Sequence, residues 1–327
     1  MHRFFVFFLV LAVALTFTAT GSAAEEQLRL GVVLSIGGLG DKSFNDAVYG
    51  GIQKLRKSTG CLIDVVEPAD VQSIEHALEY LSGRNLHLIA AVGLFANDAI
   101  RRVAGRHPDQ SYVMLDSVVS APNVLSIIFN EEEGSFYAGA LAGLLTKSQK
   151  VGFLGGMSSP VIATFEKGFR NGVSFVNPTA EVVTEYAGTT PEAFQDPDAG
   201  KKIGMQMAAA QVDLVYHAAG ATGLGLMEAA RHKNFLVIGV DSDQSALVPG
   251  KVAASMVKRL DIGLDKAVQA VREKRFKGAV LTLGLADIGV ELVLSRFNKS
   301  LFTPVIMDRL REVESFLLHQ TKPAPHP

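Results

Sequence analysis

The chain has 327 residues, a formal net charge of −2 and one cysteine, Cys61. A lone cysteine excludes an internal disulfide and any CxxC metal or redox centre. The near-neutral charge, with no long run of Lys or Arg, lacks the basic footprint that nucleic-acid binding requires.

His2 and Arg3 precede an apolar run from Phe4 to Phe17, and Thr18–Ala24 follow it. Small residues at Ser22 and Ala24 satisfy the small-x-small rule, so residues 1–24 are expected to be a cleaved secretory signal with Glu25 as the first mature residue. The run is short for a bilayer span, and no cysteine stands near the cleavage site to accept a lipid anchor. The expectation is a soluble protein exported to the periplasm.

The remaining chain, about 300 residues, is enough for two domains. Its apolar runs and amphipathic segments alternate, which is the pattern of βαβ units and parallel sheets. A strand at 28–34 precedes a helix at 43–58, and a strand at 62–67 precedes a helix at 71–83. A strand at 88–92 precedes a helix at 96–107, and strands at 112–115 and 124–129 end the block. A second block follows: helix 131–146, strand 150–154, helix 160–175, strand 180–186, helix 199–211, strand 214–217, helix 223–233 and strand 236–239. Two successive α/β blocks imply two similar lobes. Beyond Gly250, strand-like 252–256, helical 261–273 and strand-like 279–285 fit neither block cleanly, and a last helix occupies 308–319. Such a segment suggests a chain that crosses between lobes more than once, and so a hinge that closes around a ligand.

The first strand runs into Gly37-Gly38-Leu39-Gly40, which delivers Asp41, Ser43, Phe44, Asn45 and Asp46 at a helix start. The carboxyl end of a strand is where open α/β sheets bind ligands. An aromatic ring beside amide and carboxylate groups suits a flat, hydrogen-bonding molecule. The alternative is a capped helix start with Phe44 in the core. Asp116 follows the strand at 112–115, and Asp241 and Asp243 follow that at 236–239. Tyr216 ends the strand before Gly220-Ala221-Thr222. Each alone reads as a turn former, but their recurrence at strand ends in both blocks points to one shared cleft. Enzyme motifs are missing: the first glycine loop fails GxGxxG and GK[ST] spacing, GxSxG is absent, and the eight histidines show no HExxH. The glycine-rich stretch at 220–229, before a helix, lies late in the chain without a clear acidic partner for a dinucleotide.

The segment Gly40-Asp41-Lys42-Ser43-Phe44-Asn45-Asp46 resembles the opening signature of the basic membrane protein family of substrate-binding proteins, which includes the purine nucleoside receptors of ABC importers. Residues 129–139, 151–157, 239–244 and 255–259 resemble the family in the same order. The resemblance implies a type I periplasmic binding protein, α/β, with two Rossmann-like lobes of parallel sheet joined by three crossovers. Crossovers are expected near 129–131, 251–255 and 281–285, with one lobe of 25–130 plus 253–283 and another of 131–252 plus 284–327. It implies that Phe44 and Tyr216 stack on a purine, and that Asn45 and Asp116 read its edge. Asp241 and Lys258 would hold ribose hydroxyls, with the backbone of Gly220, Ala221 and Thr222 nearby. Lys258 is expected to neutralise Asp241. Three features depart from the family pattern: the lipid-anchor cysteine is missing, a glycine pair has become Gly220-Ala221, and Ser158-Ser159-Pro160 stands where an acidic residue is common.

The expected function is capture of a purine nucleoside and delivery to an inner-membrane ABC permease, by a monomer with no cofactor, no metal and no catalysis. The alternatives are a receptor for a free nucleobase or sugar, and a nucleoside-cleaving or NAD-dependent enzyme using Asp41, Asp46, Asp116 or Asp241 as acid and base. A DNA-binding regulator with a similar sensor fold would need an N-terminal helix-turn-helix, which the sequence lacks.

Overall fold

The computed structural model describes residues 27–320; the expected signal segment and the polar tail lie outside them. In the first half, β1 (Arg29–Val33), α1 (Phe44–Thr59), β2 (Leu62–Val66), α2 (Val71–Ser82), β3 (Leu88–Val92), α3 (Asn97–Arg106), β4 (Tyr112–Leu115) and β5 (Val124–Phe129) alternate. The second half opens with α4 (Glu131–Leu145), β6 (Lys150–Met157), α5 (Pro160–Val176) and β7 (Glu181–Gly188), then α6 (Pro197–Ala209), β8 (Leu214–Ala218), α7 (Thr222–His232) and β9 (Leu236–Asp241). Last come β10 (Val252–Lys258), α8 (Leu260–Arg272), β11 (Ala279–Leu283), β12 (Val290–Leu294) and α9 (Pro304–Gln320).

Two six-stranded sheets result, ordered β11-β5-β4-β3-β1-β2 and β12-β10-β9-β8-β6-β7. Their five principal strands repeat the doubly wound order 2-1-3-4-5, which places a switch point between the first and third strands of each sheet. All pairings are parallel except β10 with β12. The central strands are buried on both faces, as a sheet covered by helices requires.

The chain passes between the sheets three times, after Phe129, after Lys258 and between Leu283 and Val290. The second passage corrects the sequence expectation. Strand 252–258 belongs to the second sheet, in register with β9 from Val252 to Val257, and the chain returns to the first lobe only afterwards, with α8 packed on α1 and β11 paired to β5. An apolar strand carries no mark of which of two similar sheets it joins, so its neighbours decide. The sequence reading also passed over β12, an edge strand whose residues are mostly half-buried.

Close helix packing in the second lobe depends on glycine. α4 and α5 approach until a Cβ on Gly172 would stand 1.9 Å from the Phe136 carbonyl oxygen, and one on Gly139 would stand 2.1 Å from that of Phe169. Neither neighbour can yield, because both are backbone. Gly172→Ala should therefore destabilise the protein by about 1–3 kcal/mol through overpacking. Gly50→Ala on the exposed face of α1, where a Cβ meets nothing within 4 Å, should stabilise it by about 0.5–1 kcal/mol. Denaturant melts of the two variants check the contrast; equal midpoints would disprove it.

Candidate functional site

The carboxyl ends of both sheets face one cavity of about 320 Å³, in the range of small-molecule sites. Its walls come from the segments after β1, β3, β4, β8 and β9, from the start of α5, and from the 3-10 turn Pro191–Phe194.

The first wall is set by Asp41, whose carboxylate accepts the backbone N–H groups of Ser43 (2.9 Å), Asn45 (2.8 Å) and Asp46 (3.1 Å). This caps α1 and seats Phe44 and Asn45 at the cavity. Burial raises the Asp41 pKa against those three donors. Asn45 Oδ1 accepts from Ser35 N at 3.0 Å, so its amide is fixed with the NH2 group as the remaining polar end. Gly93, after β3, has φ +82°, and a Cβ there would stand 2.9 Å from Ser35 Oγ and 3.3 Å from the Phe44 ring. Only glycine lets that backbone pass beside the ring.

Asp116 and Asp241 occupy equivalent places at the carboxyl end of the fourth strand of each sheet, Asp116 just after β4 and Asp241 as the last residue of β9, and both are left-handed, at φ +70° and +65°. Non-glycine residues hold this conformation at some cost, and it is concentrated at functional sites. Lys258 ends β10 between them. Its Nζ donates to Asp116 Oδ1 at 2.8 Å and pairs with Glu131 Oε1 at 2.9 Å. The rings of Phe165, Phe44 and Phe129 surround the ammonium with centroids at 5.0, 5.5 and 5.8 Å, within cation–π range. Burial alone would lower the Lys258 pKa, but Asp116, Glu131 and Asp241 together raise it above its usual value. Burial raises the Asp116 pKa, opposed by Lys258 and reinforced by Glu131. The Asp241 pKa is raised by burial against Lys258 and a 2.6 Å hydrogen bond from Ser43 Oγ.

Of the residues expected from sequence, Asp41, Phe44, Asn45, Asp116, Gly220, Ala221, Asp241 and Lys258 line the cavity. Four do not. Tyr216 is fully buried, its hydroxyl 3.1 Å from Ser135 Oγ and its ring against Phe153 and Phe169. It points into the α4–α5 face of the sheet, and the chain reaches the cavity two residues later at Ala218. The rings of the second lobe at the cavity are Phe165 and Phe194 instead. Thr222 is buried beneath Phe194: its Oγ1 donates to Ala193 O and accepts from Asp196 N, both at 2.8 Å. Ser43 serves Asp241, while Asp46 accepts from Gly40 N and Lys42 N and braces the glycine loop. The expected pairing of Lys258 with Asp241 is likewise replaced by direct bonds to Asp116 and Glu131. Ser159, at the departure from the family pattern, caps α5 by accepting from Ile162 N.

Glu131 escaped the sequence reading because Glu131-Glu132-Glu133 looks like an ordinary acidic first turn complementing a helix dipole. Phe165 and Phe194 carried a findable signal, since both follow strands of the second block on the side where the strands end.

The arrangement offers aromatic walls from both lobes, carboxylate acceptors from both, and one ammonium. Among the described residues no group of three or more His, Cys, Asp or Glu could hold a metal ion, and no helix is long and apolar enough to cross a membrane.

Comparison with known proteins agrees with this architecture. The chain is 33% identical over 284 residues to a CD4+ T-cell-stimulating antigen of Listeria monocytogenes, covering 78% of this chain and 76% of that one. It is 30% identical over 257 residues to basic membrane protein A of Borreliella burgdorferi, covering 77% and 74%. An ABC transporter solute-binding protein from Aeropyrum pernix superposes with a TM-score of 0.76 at 27% identity, over 90% of this chain and 85% of that one. The lac repressor, at 18% identity and TM-score 0.60 over 84% of this chain and 96% of that one, shares the fold alone. The fold is thus the two-lobed type I periplasmic-binding type. The family model described as "ABC transporter substrate-binding protein PnrA-like" matches residues 29–319, and the chain belongs to that family, Bmp.

Proposed function

We propose that this protein is the exported receptor of an ABC importer, that it captures a purine nucleoside between its lobes, and that it passes the nucleoside to a permease without chemical change. The observation that carries the reading is the pairing of aromatic walls with carboxylates from both lobes in one cavity: Phe44 and Asp116 on one side, Phe165, Phe194 and Asp241 on the other. A purine needs an apolar face and a polar edge, and a ribose needs acceptors for its hydroxyls. Asn45 supplies an amide for the edge. Asp241 and Lys258 supply an acceptor and a donor for the sugar. The protein would act as a monomer, and closure would present a two-lobed surface to the permease. Residues 1–24 would direct export to the periplasm.

The test is a thermal-shift screen of residues 25–327, refolded to strip any carried ligand, against purine and pyrimidine nucleosides, free bases, ribose and galactose. A ligand at 100 times its dissociation constant stabilises the native state by about 2.7 kcal/mol. Shifts confined to purine nucleosides are expected. Shifts with free bases alone would keep the aromatic walls and discard the sugar contacts, and silence across the panel would overturn the ligand class.

Two substitutions separate the roles by calorimetric titration. Phe44→Ala should weaken nucleoside binding roughly tenfold or more through lost stacking while the protein stays folded; unchanged affinity would make Phe44 a packing residue. Asp241→Ala should weaken nucleosides more than free bases, and equal losses would remove Asp241 from the sugar.

A further inference from the structure

Behind the cavity, a second set of contacts joins the lobes through residues that do not line it. The backbone carbonyl of Lys42, on the glycine loop of the first lobe, accepts from Ser242 Oγ at 2.9 Å and from Gln244 Nε2 at 2.8 Å, both of the second lobe. Lys42 has φ +52°, a left-handed backbone that an L side chain rarely adopts, and Asp46 holds the turn by accepting from its N–H.

Gln244 is built to make this bond. Its Oε1 accepts from Val240 N at 3.0 Å. A backbone N–H can only donate, so that atom must be the oxygen and the amide nitrogen must face Lys42. His217 Nε2 lies 3.0 Å from the same oxygen and therefore carries its proton there. The Gln244 backbone N–H donates to Ser255 Oγ at 3.0 Å. A Cβ on Gly239 would stand 2.5 Å from Gln244 Oε1, so glycine leaves the room the amide occupies. His217 is fully buried and its Nδ1 has no hydrogen-bond partner among the described residues. Burial lowers its pKa to about 4, which keeps the ring neutral. An unpartnered buried nitrogen is unfavourable, and the bond made by the other ring nitrogen adds a second donor to the amide oxygen that Val240 N already fixes.

We propose that Gln244, oriented by His217 and assisted by Ser242, is a clasp on the Lys42 carbonyl that favours the closed arrangement of the lobes with the cleft empty. The clasp touches no ligand. It raises the population of the binding-competent state, so it strengthens every ligand equally and leaves discrimination between them unchanged. His217 and Gln244 are positioning residues in this scheme.

The experiment measures the distance between the lobes by double electron–electron resonance. Spin labels go on Gln72→Cys and Lys201→Cys, with buried Cys61 replaced by alanine. Gln72 and Lys201 are exposed, on α2 and α6, which follow the edge strands β2 and β7, furthest in each sheet from the three crossovers. Ligand-free protein should show a short-distance population. Ser242→Ala, at a half-buried position that tolerates truncation, should reduce it. Gln244→Glu should reduce it at least threefold, because its second oxygen faces another acceptor. His217→Leu should fall between these two, since Val240 N still holds the amide oxygen. With inosine as the probe, affinity should fall about three- to tenfold in Gln244→Glu, with the ratio of inosine to guanosine affinity unchanged. A ligand-free protein with no short-distance population, or variants that keep the unsubstituted protein's distribution, would overturn the clasp. The inosine arm rests on the nucleoside reading and the ligand-free arm does not, so failure of inosine to bind would fall on that reading alone.

Discussion

A primary ammonium buried between two sheets is the constraint around which the centre of this molecule is arranged. Leaving Lys258 unpaired there would cost several kcal/mol of lost hydration. It is 2% exposed as a side chain, with Asp116 and Glu131 in contact and three phenyl rings around it. The two carboxylates are not equivalent. Glu131 begins α4, which packs against β10, so it shares a lobe with Lys258. Asp116 follows β4, in the other sheet. The Glu131 pair therefore keeps the ammonium partnered within its own lobe, while the Asp116 bond exists only when the lobes meet. A charge that must be paired has been given one fixed partner and one conditional partner, and the conditional one spans the cleft.

The two sheets make this possible by repeating one winding order. Each exposes the ends of its first, third and fourth strands on the same side, and facing the two sheets across a hinge brings six strand ends together. The left-handed residues Asp116 and Asp241 stand at matching positions in that repeat. Their backbone turns sharply after the strand, which sends the carboxylate into the cavity instead of along the sheet. Gly93 and Gly220 turn the neighbouring strand ends in the same sense, at φ +82° and +54°, and keep side chains out of the space between.

Much of this was legible from residue order. Alternating apolar and amphipathic runs located almost every strand and helix to within a few residues, because central strands buried on both faces leave continuous β-branched runs that little else mimics. The strand-end logic also brought Phe44, Asn45, Asp116 and Asp241 to one place. It failed at Tyr216 because a residue two positions before the strand end lies a full repeat deeper in the sheet, where its ring packs under the helices while Ala218, on the same face, reaches the cavity. Glu131 was hidden by its company in an acidic turn, and its significance depends on Lys258, 127 residues away along the chain. The lobe of β10 was illegible for a related reason. Both sheets present the same kind of edge, and hydrogen-bond register, which leaves no trace in composition, chose between them.

The charge balance of the cavity narrows what it suits. Asp116, Glu131 and Asp241 surround a single ammonium, and Asp41 adds a fourth carboxylate already engaged by backbone N–H groups. A phosphate entering this space would meet more acceptors than donors in a region of low dielectric, where like charges repel most strongly. A neutral molecule with hydroxyl and N–H donors meets the opposite situation: each donor it brings finds a carboxylate that burial has made costly to leave without one. Burial raises the pKa values of Asp116 and Asp241, and Lys258 only partly offsets it. Ligand donors would offset that burial cost, and the aromatic walls suit the apolar ring faces of such a molecule. The excess of carboxylates over cations and the aromatic walls thus favour the proposed uncharged, donor-bearing ring compound over an anion, on electrostatic grounds that are independent of the shape of the cleft.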